Sequence, residues 1–312
     1  MIRYLQHHEI DLKKWDDSIR LSVNGLVYAY SWFLDIVSPG WDALMENDYE
    51  SVFPLTHNRK FGVRYLYQPY FAQQLGLFTK GHLTESLVDN FLRAIPQKFR
   101  FIQIHLNSLN KVDYTRYHCY PRVNHELDLI NSYENLVEKY DQNTRRNLKK
   151  AHKEQLVLKR KVEPDELISL FRDNYGKYEL LLQYRHYDIL RTLIGYCLKN
   201  TFSAITGVFL PDGTLCAGSF FLRDKERVIY HLAASNQTAR ENGAMFLLVD
   251  NFIKENAGQV LILDFEGSND SNVSRFYKGF GAQEVKYSQV TINRLPGWID
   301  LLRSLRKEQR KH

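Results

Sequence analysis

The sequence predicts an α/β (α+β) protein built from two similar halves, each with a mixed central sheet flanked by helices. Three observations carry this: an internal repeat, the order of the hydrophobic patterns, and a composition able to form a core. The pentapeptide Leu87-Val88-Asp89-Asn90-Phe91 recurs as Leu248-Val249-Asp250-Asn251-Phe252, 161 residues further on. Self-similarity at a fixed offset marks a repeated architecture. The same offset aligns the adjoining downstream segments, residues 99–106 in one copy and 260–265 in the other. Both copies read as an amphipathic helix, a turn and a largely buried strand.

Each copy also has a pair of β-rich segments upstream. In the first they are 41–55 and 62–78; in the second, 202–222 with a turn at Pro211-Asp212-Gly213, and 228–234. The second copy then closes with a short helix at 273–280 and a strand at 284–293. Mixed order of this kind argues for a layered fold, not a pure parallel sheet. The boundary is expected between Asp128 and Tyr140, where a strand-like run over 116–129 gives way to a charged helix near Ser132. Glu134, three residues after Asn131, suits a capping arrangement. No Gly/Ser linker separates the halves. Pro296-Gly297-Trp298 with Leu301, Leu302 and Leu305 reads as an amphipathic helix with a basic far face.

At 312 residues, 44% hydrophobic and 25% charged, the chain can bury a proper core. Its 20 Tyr and 18 Phe suit half-buried strands, or clefts lined for stacking. The first ten residues lack the apolar core of a secretory signal, and no window approaches 18 uninterrupted apolar residues, so the chain reads as cytoplasmic. Cys119, Cys197 and Cys216 are scattered and give neither a disulfide framework nor metal-ligand spacing. The net charge of +6 gathers at 145–153, at Lys159-Arg160-Lys161 and in the tail from Arg303. Such runs are solvated helix faces or surfaces for a polyanion, phosphate or lipid headgroup; specific DNA binding is not expected.

The stretch 263–268 is the most informative. A buried strand ending in Asp264-Phe265-Glu266-Gly267-Ser268 puts two carboxylates and a hydroxyl at the carboxyl end of a sheet strand, where ligands bind in open α/β sheets. Equally, Asp264 could cap a helix and Glu266 face solvent. His7-His8, His105, His118, His125 and His231 show no metal-binding pattern. There is no Gly-x-Ser-x-Gly elbow and no phosphate loop of the nucleotide-hydrolase type. Trp32, Asp35 and Trp41 around Ser38-Pro39-Gly40 make an aromatic turn, part of the core or rim, or of an acceptor cleft.

Asp264-Phe265-Glu266-Gly267-Ser268, with Phe276-Tyr277-Lys278-Gly279-Phe280-Gly281 after it, resembles the signature of the FemAB family of peptidoglycan aminoacyl transferases. The segment 144–151, Thr-Arg-Arg-Asn-Leu-Lys-Lys-Ala, is similar to the one opening that family's second domain. Gln183-Tyr184-Arg185-His186-Tyr187 is similar to its Arg-x-x-x-Tyr acceptor helix. The resemblance covers 130–293 by motif and the rest by architecture only. It implies two tandem GNAT-like (acyl-CoA N-acyltransferase) domains: 1–130 as acceptor or scaffold domain and 131–295 as donor and catalytic domain, with the basic helix 296–312 after them.

The implied chemistry is amide formation, an amine attacking an acyl carbonyl activated as a CoA thioester or a tRNA ester. No permanently bound cofactor is implied. Lys278 matches the family lysine that stabilises negative charge during transfer, and Glu266 or Asp264 could accept the amine proton. Arg185 would hold an acceptor phosphate, with Tyr187 and Trp32 also on the acceptor side. GNAT enzymes cradle the CoA pyrophosphate on a helix N-terminus behind Arg/Gln-x-x-Gly-x-Gly/Ala. Here Arg240, Gly243 and Ala244 occupy that place, with Met245 where a small residue belongs. The acceptor would be a small-molecule or lipid-linked amine, with tRNA as a further partner if it is the donor. The alternatives are an acyl-CoA-dependent N-acetyltransferase, or a catalytically degenerate protein whose basic faces bind an anionic polymer or membrane surface.

Overall fold

The computed structural model describes residues 1–174, 182–200, 203–267 and 269–296. Ser268 and residues 297–312 of the predicted tail helix lie outside them. The chain divides into two compact units, Met1–Pro121 with the segment from Tyr287 onward, and Arg122–Lys286.

The first unit opens with β1 (Arg3–Leu5), α1 (Leu12–Leu21) and α2 (Ser31–Val37). Asp11 starts α1 by accepting the amide of Lys14, the usual work of an N-cap carboxylate. Then come β2 (Asp42–Glu46), β3 (Ser51–Leu55), the hairpin β4 (His57–Lys60) and β5 (Val63–Leu66), β6 (Phe78–Thr79), α3 (Glu85–Ala94) and β7 (Phe99–His105). One antiparallel sheet runs in the order β1-β2-β3-β6. In another group β4 pairs antiparallel with β5, and β5 parallel with β7. Phe53, Phe91 and Phe99 fill the core. The segment predicted as β-rich over 62–78 is strand only at its two ends. Phe71 and Gly76 adopt positive φ (70° and 97°), which extended backbone excludes.

The chain enters the second unit within β8 (His118–Asp128). The unit continues with α4 (Tyr133–Glu138), α5 (Gln142–Lys153), β9 (Val157–Arg160), α6 (Pro164–Asn174), α7 (Tyr184–Asn200), β10 (Ala204–Phe209), β11 (Leu215–Asp224), β12 (Arg227–Ser235), α8 (Gln237–Asn242), α9 (Ala244–Asn256), β13 (Ile262–Asp264), α10 (Ser271–Lys278) and β14 (Gln283–Asn293). Ser132, not Asn131, caps α4, accepting the amide of Asn135. Strands β9-β10-β11-β12 form an antiparallel meander; β13 joins parallel to β12 and antiparallel to β8. The later half of β14 pairs with β7 and so belongs to the first unit.

Each of the two pentapeptides lies on a helix. Leu87–Phe91 is on α3, between the parallel strands β5 and β7, and its counterpart is on α9, between the parallel strands β12 and β13. The aspartates match in use as well. Asp89 accepts the hydroxyl of Tyr117 at 2.7 Å, and buried Asp250 those of Tyr133 and Tyr140 at 2.9 and 3.0 Å. Arg145, in the basic run of α5, donates to the carbonyls of Val137, Glu138 and Tyr140. It thereby serves the carbonyls that the end of α4 leaves without helical partners.

Candidate active site

Strand β13 pairs with β12 only through Arg227–Ile229 and Ile262–Asp264, although β12 continues to Ser235. Beyond Asp264 the chain turns away. The amide of Phe265 bonds to the carbonyl of His125 at 2.9 Å, and Glu266 and Gly267 come next in the left-handed region (φ 55° and 46°). The two parallel strands therefore part at Tyr230. Gly267 is required there, because a Cβ would lie 2.2 Å from the Val123 carbonyl oxygen and 2.3 Å from Asn124 Cα. Gly267→Ala is expected to cost about 1–3 kcal/mol, read as a lower urea midpoint; an unchanged midpoint contradicts this close packing.

Asp264 holds that turn in place. Its buried carboxylate accepts Arg227 Nη1 at 2.6 Å on one oxygen and the Glu266 amide at 2.9 Å on the other. Asp264 stands directly opposite Glu126 in the sheet, and Arg227 also donates to Glu126 at 2.7 Å. Facing carboxylates repel, so the guanidinium between them is what makes this register favourable. Burial opposes the charge on Arg227, but the two carboxylates outweigh it and raise its pKa further. Of the two carboxylates expected as proton acceptors, Asp264 thus has both oxygens engaged, one by Arg227 and one by the Glu266 amide.

Glu266 Oε1 lies 2.9 Å from Nδ1 of His231, whose side chain is 1% exposed and which sits on the part of β12 that β13 has left. Nε2 is the ring nitrogen turned away from that carboxylate. Tyr230, the preceding residue, faces the other side of the sheet. Its ring packs edge-on against Phe265 and Tyr277, and its buried hydroxyl has no hydrogen-bond partner among the described residues. Burial raises its pKa strongly, so it remains a donor. Phe265 stacks on Tyr277 at 4.7 Å, which ties the end of β13 to α10. Such a pair contributes about 0.5–1.5 kcal/mol beyond its buried area. The parallel strands thus part after Ile229 and Asp264, with the carboxylate–imidazole pair of Glu266 and His231 just beyond.

In sequence, no family model and no curated protein matches the chain. In structure, FemX superposes with a TM-score of 0.63 at 11% identity, over 92% of this chain and 97% of FemX. The chain has the FemX fold. A protein of unknown function from Bacteroides thetaiotaomicron is similar at TM-score 0.55 and 10% identity, covering 93% of this chain and 99% of that one. L-PGS from Bacillus licheniformis is similar at 0.52 and 11%, covering 92% and 93%.

In this example of the FemX fold, Lys278 ends α10, half exposed, with its ammonium ion-paired to Glu284. That pairing holds Glu284 below the usual carboxylate range. Next to it, His125 is fully buried, its Nε2 3.0 Å from Ser274 Oγ and 4.0 Å from Glu284. Burial first, then Lys278, lowers the His125 pKa below 6.5, while Glu284 opposes. The folded protein thus binds fewer protons here than the unfolded chain, so stability falls as pH drops below 6.5. Wild-type Tm should fall more between pH 7.5 and 5.5 than that of His125→Gln, carboxylate effects being common to both. Equal falls would contradict the burial argument.

The other predicted residues take up different places in the FemX fold. Gly243, at φ 80°, packs against α5, where a Cβ would lie 2.6 Å from the Asn147 carbonyl oxygen. Its amide bonds to the Ala239 carbonyl, and that of buried Ala244 to Asn242 Oδ1 at 3.0 Å. Arg240 donates to the Asn174 carbonyl at 3.3 Å. These residues join α8, α9 and α5. Arg185 (exposed) and Tyr187 (half-buried) lie on the first turn of α7 in the second unit; half-buried Trp32 lies on α2 in the first. Trp41 is core, packed on Trp15 at 4.6 Å and bonded to Asp35 at 2.8 Å. Among the described residues no group of three His, Cys, Asp or Glu side chains converges as a metal site, and no helix is long and apolar enough to cross a membrane. Sequence reasoning missed His231, Tyr230 and Arg227. A strand-borne His facing Glu266 across 35 residues leaves no local signal.

Proposed function

We propose that the chain is an N-acyltransferase that moves an acyl or aminoacyl group from an activated donor to an amine. The observation that carries this is the His231–Glu266 pair, set where β12 and β13 part. An acyl group placed there would meet β12 beyond Ile229 on one side and Phe265 on the other. The amine nitrogen attacks the carbonyl carbon, the C–N bond forms, and the C–S bond of a thioester or C–O bond of a tRNA ester breaks. His231 Nε2 accepts the amine proton, Glu266 stabilising the imidazolium, and the proton passes to the departing thiolate or alkoxide. Lys278 adds positive charge at the rim once an anionic substrate competes with Glu284.

Acyl-CoA and aminoacyl-tRNA are the two donor classes, the acceptor is a small-molecule or lipid-linked amine, and we place the reaction in the cytoplasm, where both donors are made. The ion pair between Lys278 and Glu284 favours a second reading, a fold retained for binding anions only. Incubation with radiolabelled acyl-CoA and, separately, with charged tRNA, each with a panel of amines, decides between them. Labelled amide from either donor is expected. Folded protein that forms none with any amine argues for the binding reading.

A further inference from the structure

A different part of the molecule carries a basic pocket. In the first unit, the hairpin β4–β5 and the start of β7 border a cavity of about 500 Å³ lined by His7, His57, Arg59, Arg64 and Lys98, with Asp42 as its carboxylate. Asp42 is already engaged: it accepts Tyr4 Oη and the His7 amide and lies 3.1 Å from His57 Nε2. Lys98 is 3.9 Å from it. Arg59 and Arg64 stand directly opposite each other across the hairpin, and neither forms an ion pair among the described residues. Like charges in that position repel. Burial lowers the pKa of Lys98, Asp42 opposing it and Arg64 adding to the repulsion between like charges. A phosphate group would relieve it, since guanidinium pairs bind phosphate oxygens by paired N–H donors.

The tip of the same hairpin shows where such a phosphate comes from. Its two-residue turn is Phe61-Gly62, with φ 50° and 79°. Asn or Gly is usual at the first of these positions. Here it is a phenylalanine, 82% exposed, with Lys60 beside its ring. An aromatic ring held out in water among basic residues suits the boundary between headgroups and acyl chains.

We propose that this hairpin docks the protein on an anionic phospholipid surface, with Arg59, Arg64 and Lys98 receiving a lipid phosphate and Phe61 entering the interface. This stands independently of the acyl-transfer reading. The test is co-sedimentation of the full chain with vesicles of phosphatidylglycerol in phosphatidylcholine and with vesicles of phosphatidylcholine alone. Wild type should bind the first, more weakly as salt rises, and not the second. The double variant Arg59→Glu/Arg64→Glu should lose at least about 10-fold in affinity, and Phe61→Ser about 5-fold, both with unchanged circular dichroism. Failure of the wild type to bind anionic vesicles overturns the proposal, as does equal binding by the folded double variant. Calorimetric binding of inorganic phosphate, lost in the double variant but without vesicle binding, would assign the pocket to a soluble phosphate and equally overturn it.

Discussion

His231→Asn is expected to lower kcat for acyl transfer by about 10²–10⁴-fold and to leave KM nearly unchanged, as when a positioned base is removed. The size comes from geometry. His231 is buried beside the strand opening and oriented by a carboxylate 2.9 Å away, so water cannot easily replace it. Glu266→Gln keeps a hydrogen-bonding side chain at the same left-handed position but removes the charge that stabilises imidazolium. It should fall between wild type and His231→Asn, again in kcat. A variant series that raises KM while sparing kcat would mean that the pair binds substrate and takes no proton.

Arg227→Met should lower folding stability by about 3–5 kcal/mol, because it leaves Asp264 and Glu126 facing each other without the cation between them. Replacing all three with apolar residues of similar size should recover most of that loss, since a buried ion network is not in itself more stable than good packing. It should not recover activity, because the Glu266 amide loses its partner on Asp264. Urea unfolding of the single and triple variants reads both effects. A single variant as stable as wild type would show that the sheet register does not depend on Arg227.

The fold was legible where local patterns repeat. The pentapeptide at 87 and 248 led to two helices, α3 and α9, and the turn at Pro211-Asp212-Gly213 led to the hairpin β10–β11. The region 62–78 misled because its apolar residues suit a strand, while Phe71 and Gly76 bend the backbone out of one. The site was half legible. Glu266 and Asp264 lie two residues apart at the end of a strand, so both looked catalytic. Only the parallel register with β12 brings Arg227 beside Asp264 and His231 beside Glu266, and that long-range pairing has no trace in local sequence. Gly243 looked like an anion-cradling loop, but its lack of a side chain serves close contact with α5.

The central claim is that acyl transfer occurs where β12 and β13 part. Its most direct test is a crystal structure with a non-reactive thioether analogue of an acyl-CoA whose carbonyl is retained. The account predicts that the carbonyl lies where β12 and β13 part, with its carbon about 3–3.5 Å from the space where an amine hydrogen-bonded to His231 Nε2 would sit. An analogue bound elsewhere, with the opening beside His231 closed, would contradict it.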